Sequence, residues 1–151
     1  VTRIGVAARG GVPKPAVDAA EVKPAGITGN AVAHPKIHGG PDRALCLWSE
    51  DVIRALQAEG HPVRPGDAGE NLTLAGLDWA AVGPGTVLAV GPALRLEVTT
   101  PAAPCRQIAF AFAGGDSGRI SQQAYPGWAR WYARVLAPGT VRTGDAVAVE
   151  R

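Results

Sequence analysis

The 151-residue chain fits one domain of ordinary size and is too short for two independent cores. Its apolar share of 46% and charged share of 19% exclude a disordered polymer, and 20 glycines with 13 prolines leave little room for long helices. The +2 charge is evenly spread, eight basic and eight acidic side chains in residues 1–75 and seven against five in 76–151, which excludes a broad nucleic-acid or anionic-membrane footprint but not a small anionic ligand.

No apolar stretch approaches the ~18–20 residues of a membrane-spanning helix. Cys46 and Cys105 are too few for a disulfide scaffold, and no basic-then-apolar leader is seen, so the chain reads as cytoplasmic.

In chain order, Thr2–Ala7 predicts a strand that runs into a turn at Arg9-Gly10-Gly11. Lys14–Val17 and Ala20–Lys23 suggest a second short extended pair, and Gly26–Asn30 punctuates. Lys36-Ile37-His38-Gly39-Gly40-Pro41-Asp42-Arg43 is a polar, glycine-rich loop before the apolar run Ala44–Trp48, which has the length of a buried strand. Ser49 is placed to cap a helix with Glu50 and Asp51 in its first turn, Val52, Ile53 and Leu56 on one stripe, and Gly60 at its end.

Pro65-Gly66-Asp67 predicts a turn, and Gly69-Glu70-Asn71-Leu72-Thr73-Leu74 a glycine-led strand entry. Thr86–Val90 and Leu94–Thr99 predict strands around Gly91-Pro92; in the second, Leu94, Leu96 and Val98 share a face. The loop 114–118 reads as mobile, a candidate lid, and Arg119 after it reads as solvated. Trp128, Trp131, Tyr132 and Val135 lie at i, i+3, i+4 and i+7, which predicts a second helix over Gly127–Leu136 with Arg130 and Arg134 on its outer face. Ala146–Val149 closes the chain as a strand. Many short strands with two short helices predict a mainly β protein built as a barrel, one domain over residues 2–150.

Few residues offer chemistry. Cys105 follows Pro104 at the end of an alternating strand, and the neighbouring Arg106 would favour its thiolate; a partly buried packing cysteine is the alternative. Cys46, flanked by apolar residues, reads as packing, and the two thiols lack zinc-finger spacing. Lys36, His38 and Arg43, with Gly39 and Gly40, could hold an anion, or form an ordinary turn. Glu70, Asn71 and Thr73 could meet a heteroaromatic ring, or tie a strand corner to its own backbone.

Three ordered segments, His38-Gly39-Gly40-Pro41-Asp42-Arg43-Ala44, Gly69-Glu70-Asn71-Leu72-Thr73, and Pro101 with Pro104-Cys105, resemble the MOSC family, the molybdenum-cofactor sulfurase C-terminal-type domains. Within it the chain is similar to the stand-alone bacterial branch that includes the 6-N-hydroxylaminopurine resistance proteins. The resemblance covers about residue 2 to 150 and implies a MOSC-type β-barrel with a few short helices. It also implies binding of the molybdenum cofactor (molybdopterin).

The resemblance gives Cys105 as the molybdenum ligand and catalytic residue. Lys36, His38, Gly39, Arg43, Glu70, Asn71, Thr73, Arg106 and Arg119 are the candidates to hold the cofactor. The implied reaction is reduction of a small N-hydroxylated substrate with electrons from external electron-donor proteins. A sulfur carrier with a persulfide on Cys105, and a non-catalytic binding module on the same fold, are the alternatives. The branch often has Gly-Asp-x-Gln-x-Asp where this chain reads Gly29-Asn30-Ala31-Val32-Ala33-His34, and arginine where it has Ala102.

Overall fold

The computed structural model describes residues 1–31 and 40–150. Its strands are β1 (Arg3–Gly5), β2 (Ala16–Val17), β3 (Ala19–Lys23), β4 (Gly26–Ile27), β5 (Leu45–Ser49) and β6 (Leu72–Leu74). They continue as β7 (Val87–Val90), β8 (Leu94–Ala102), β9 (Arg130–Ala137), β10 (Gly139–Arg142) and β11 (Val147–Glu150). One α-helix, α1 (Glu50–Ala58), and several short 3-10 turns complete the described elements.

Eight strands form one sheet in the order β11-β7-β8-β9-β5-β6-β1-β2, and β10-β3-β4 form a second. Among the described residues no ladder joins β11 to β2. The chain itself joins these edges through the second sheet. β2 runs past Asp18 into β3, β3 pairs with β10, and β10 turns into β11. Thr143 N donates to Asp18 O at 2.9 Å across this corner, and Gly144 N donates to Val1 O at 2.7 Å. The mainly β class is as expected, with the chain turning from one sheet into the other at this corner, but no closed barrel forms among the described residues.

The reasons for the elements are local. The Ser49 hydroxyl accepts from Val52 N at 3.2 Å and opens α1, whose Val52, Ile53 and Leu56 face the core. That helix carries the chain from β5 to β6, which pair in parallel with Leu47 opposite Leu72 and so need a crossover rather than a hairpin. β7 and β8 form the hairpin around Gly91, and Leu94, Leu96 and Val98 alternate into the core. Trp48, Leu47, Leu72, Leu88 and Leu96 are fully buried at its centre.

Four expectations are corrected. The helix expected over Gly127–Leu136 is strand β9, which lies between β5 and β8 and is hydrogen-bonded on both sides. Its first half, Arg130–Ala133, is buried on both faces and shows no alternation, so the apolar residues of the segment match a helical period by accident. Lys14–Val17 and Ala20–Lys23 do not pair with each other: β2 pairs with β1, while β3 pairs with β10 and β4.

Arg119 is not solvated. Its guanidinium lies 4.0 Å from the Trp128 ring centroid and 4.5 Å from that of Tyr125, and makes two hydrogen bonds to the Glu59 carboxylate at 2.8 and 2.9 Å. The segment expected as a mobile lid is wound into two 3-10 turns, Ala113–Gly115 and Ser117–Ile120, that this arginine ties to the end of α1.

Candidate functional site

Paired residues on neighbouring strands point to the same face, and so do residues two apart on one strand. Cys46 of β5 pairs with Tyr132 of β9, so Cys46, Tyr132 and Arg130 share a face. Leu45, Leu47, Trp131 and Ala133 take the other and fill the core. The face bearing Cys46 and Tyr132 is backed by Ala102 and floors a cleft of about 100 Å3. The turn 68–71 forms one wall, and Ala103, Cys105, Gln107 and Ile108 line another.

The walls are fixed by backbone hydrogen bonds. Asn71 Oδ1 accepts from Cys46 N at 3.0 Å, and its Nδ2 donates to Gly5 O at 3.1 Å. Both ends of this amide therefore hold the sheet, although the residue also borders the cleft. Lys14 reaches the rim from a loop held at both ends of the residue. Its N donates to Gly66 O at 3.0 Å, and its carbonyl accepts from Arg3 Nη2. Gly66 has φ +92°, and a β-carbon there would run into the Arg3 guanidinium.

The electrostatics of the cleft are one-sided. Lys14, Arg43 and Arg130 line it, and no carboxylate does among the described residues. None of the three enters an ion pair among the described residues. Arg130 is only 6% exposed; its Nη1 donates to Ala68 O at 2.7 Å and its Nη2 to Ala103 O at 3.0 Å, while Nε has no partner. A buried guanidinium whose hydrogen bonds go to neutral carbonyls, with Glu70 acting on it only from behind the wall, favours an anion on the cleft side. Arg43 lies over the Tyr132 ring, 5.3 Å from its centroid.

The titratable groups report the same field. Burial lowers Lys14 from the ordinary lysine value, while Cys46 and Glu70 oppose that shift and Arg130 adds to it. Burial pushes the Cys46 thiol up, and Arg130 and Lys14 pull it down. The Tyr132 phenol is pushed up to about 12, by burial first and Cys46 second. Glu70 is fully buried behind the wall, with Oε1 accepting from Gly66 N at 3.0 Å and Oε2 without a partner. Desolvation pushes its carboxyl up to about 7 against the pull of backbone N–H groups, Arg130 and Arg3.

Of the residues singled out from sequence, the cleft gathers Cys105, Arg43 and Asn71. Cys105 is half-buried at the lip. Glu70 lies behind the wall, and Thr73 is buried in β6 with its carbonyl accepting from Thr2 N at 2.9 Å. Arg106 is exposed and does not line the cleft, so the cations facing Cys105 across it are Lys14, Arg43 and Arg130 instead. Arg119 is held by Glu59, Tyr125 and Trp128. Lys36, His38 and Gly39 lie outside the described residues.

Sequence reasoning missed Lys14, Arg130, Tyr132 and the inward face of Cys46. The helical reading of 127–136 sent Arg130 to solvent, and Lys14 sits in a loop without any motif. One signal was available: Arg-x-Tyr puts both side chains on one face once the segment is read as extended.

Residues 34–148 match the family model of the MOSC domain. Protein YiiM of Escherichia coli K12 is 32% identical over 124 residues, 77% of this chain and 52% of that protein. YflK of Bacillus subtilis is 33% identical over 71% of this chain and 48% of its own length. A reductase of Gibberella moniliformis is 28% identical over 74% of this chain and 20% of its own. The crystal structure of E. coli YiiM superposes with a TM-score of 0.68 at 26% identity, covering all of this chain and 71% of that one. The chain thus spans about half the length of YiiM and YflK.

Proposed function

The chain belongs to the MOSC domain family, and from that premise we propose that its cleft holds the molybdenum cofactor and serves reduction of N-hydroxylated compounds. The observation that carries the reading is the set of cations around a half-buried thiol: Lys14, Arg43 and Arg130 line one cleft with Cys105, and no carboxylate does among the described residues. The residues fit such a group. Arg130 lines the cleft with one guanidinium N–H, Nε, left without a partner, and a soft thiolate suits a soft metal centre. A cleft of about 100 Å3 takes a phosphate or an oxo-metal end, and the rest of a pterin would extend into the open side.

In this reading Lys14, Arg43 and Arg130 bind the anionic part, and Cys105 Sγ ligates molybdenum. Arg130 also provides a guanidinium directly across the β8–β9 ladder from Ala102, where the similar branch often has its arginine. When bound, the cofactor supplies a two-electron reduction that converts an N–OH group to N–H with release of water. The Gibberella relative's description as a reductase supports this class. Electrons come from external donor proteins, and the protein's own part is orientation and charge.

Metal and pterin analysis of protein made in a cofactor-competent host tests the proposal. Molybdenum near one atom per chain, lost in Cys105→Ser, is the expected result; equal molybdenum in both forms eliminates the ligand. One observation favours a second reading, a persulfide carrier: Cys46 puts another thiol on the same cleft. That reading requires cyanide-labile sulfur on Cys105 in protein without metal.

A further inference from the structure

A buried carboxylate directly behind a cation-lined anion site invites a specific role. Glu70 sits between Gly69 and Asn71, both of which border the cleft, yet its own side chain is sealed from solvent. One oxygen is tied to Gly66 N at 3.0 Å, and the other has no partner. Unpartnered donors occur in the same neighbourhood, Arg3 Nη1 from β1 and Arg130 Nε from β9.

We propose that the cleft couples anion binding to protonation of Glu70: entry of a dianion among Lys14, Arg43 and Arg130 is accompanied by uptake of a proton on the Glu70 carboxylate. The inference rests on the cleft being the anion site proposed above. The groups that act on Glu70 are Arg3 from β1, Lys14 from its loop, Cys46 from β5 and Arg130 from β9, besides the backbone N–H groups of Gly66 and Glu70 itself. The cations favour the ionised carboxylate, and burial favours the neutral acid.

A dianion entering the cleft offsets the field of those cations. The ionised carboxylate then loses the attraction that opposed its desolvation, and the proton is taken up. Burial pushes the Glu70 carboxyl up to about 7, so this exchange falls in the neutral range. Linkage gives the reciprocal statement: a dianion binds more weakly as pH rises through that range, because a second negative charge is then fixed behind the wall.

Sulfate is a suitable probe, since it stays a dianion from pH 5.5 to 8. Titration calorimetry in Bis-Tris and in imidazole, whose basic forms are neutral and do not compete, gives both affinity and proton uptake. The wild-type protein is expected to lose up to about tenfold in affinity across this range, the change that one pKa unit of coupling produces. It should also take up a fraction of a proton near pH 7. Glu70→Gln keeps an acceptor for Gly66 N and should bind sulfate with neither slope nor uptake; Lys14→Arg should retain both.

Wild-type binding with no pH slope, or the same slope and uptake in Glu70→Gln, overturns the role of Glu70 alone. Absence of sulfate binding, or binding that survives Lys14→Gln with Arg43→Gln, overturns the anion site itself and this inference with it.

Discussion

Arg130 does two jobs that a lysine could not combine. Its two Nη groups hold carbonyls on two walls, Ala68 and Ala103, while the guanidinium enters no ion pair among the described residues. An ammonium has no planar fork to span both acceptors. Arg130→Lys should therefore retain sulfate binding yet lower unfolding stability in urea by about 1–3 kcal/mol, the effect of stranding a buried acceptor. Arg130→Met should lose the binding as well. Retained stability in both variants would contradict the bridge.

Glu70 makes a further residue-scale prediction, on stability. Its folded value is raised from 4.5 to about 7, so between those values the folded chain holds a proton that the unfolded chain has released. The associated stability is fully present below pH 4.5, falls as pH rises toward 7, and stays lost above that. Glu70→Gln should therefore gain on wild type by up to a few kcal/mol between pH 5 and pH 8. Thermal melts at the two pH values measure it, and a constant difference would contradict the buried-acid assignment.

At the scale of elements, β9 and α1 position the site from two sides. β9 carries Arg130 and Tyr132 into the cleft and Trp131 and Ala133 into the core, and its outer end is pinned by Arg134 Nε to Glu97 Oε1 at 2.6 Å across the ladder. α1 spans the crossover that sets β6 beside β5, and so places the 68–71 wall. Ser49→Ala removes its cap and should cost about 1 kcal/mol in chemical denaturation. Activity should change little, because the cap does not touch the cleft.

The capped helix was legible because Ser49, two acids, an apolar stripe and Gly60 agree on one answer. So was the β7–β8 hairpin, where alternation and a glycine turn coincide. β9 was not: Trp128, Trp131, Tyr132 and Val135 satisfy a helical period, and only the pairing with β5 and β8 decides otherwise. Long-range pairing overrode the local pattern there.

For the whole molecule, the site is assembled from residues far apart in the chain: Lys14, Arg43, Asn71, Cys105 and Arg130. Cys105, Arg43 and Asn71 stand in short motifs and could be read from sequence. Lys14 and Arg130 stand in none, and only the closing of the sheet brings them to the thiol. The MOSC match then gives the assembly its family.

The central claim, that Cys105 opens into a cleft of positive potential, can be measured without any cofactor. Alkylation of Cys105 by iodoacetate is compared with that by neutral iodoacetamide, each relative to free cysteine, with peptide mapping to separate Cys46. The account predicts that the anionic reagent is favoured at Cys105 well beyond its ratio for free cysteine, that salt erodes this preference, and that Cys46 reacts far more slowly. A ratio at or below that of free cysteine, or a Cys105 that resists both reagents in the folded protein, would contradict it.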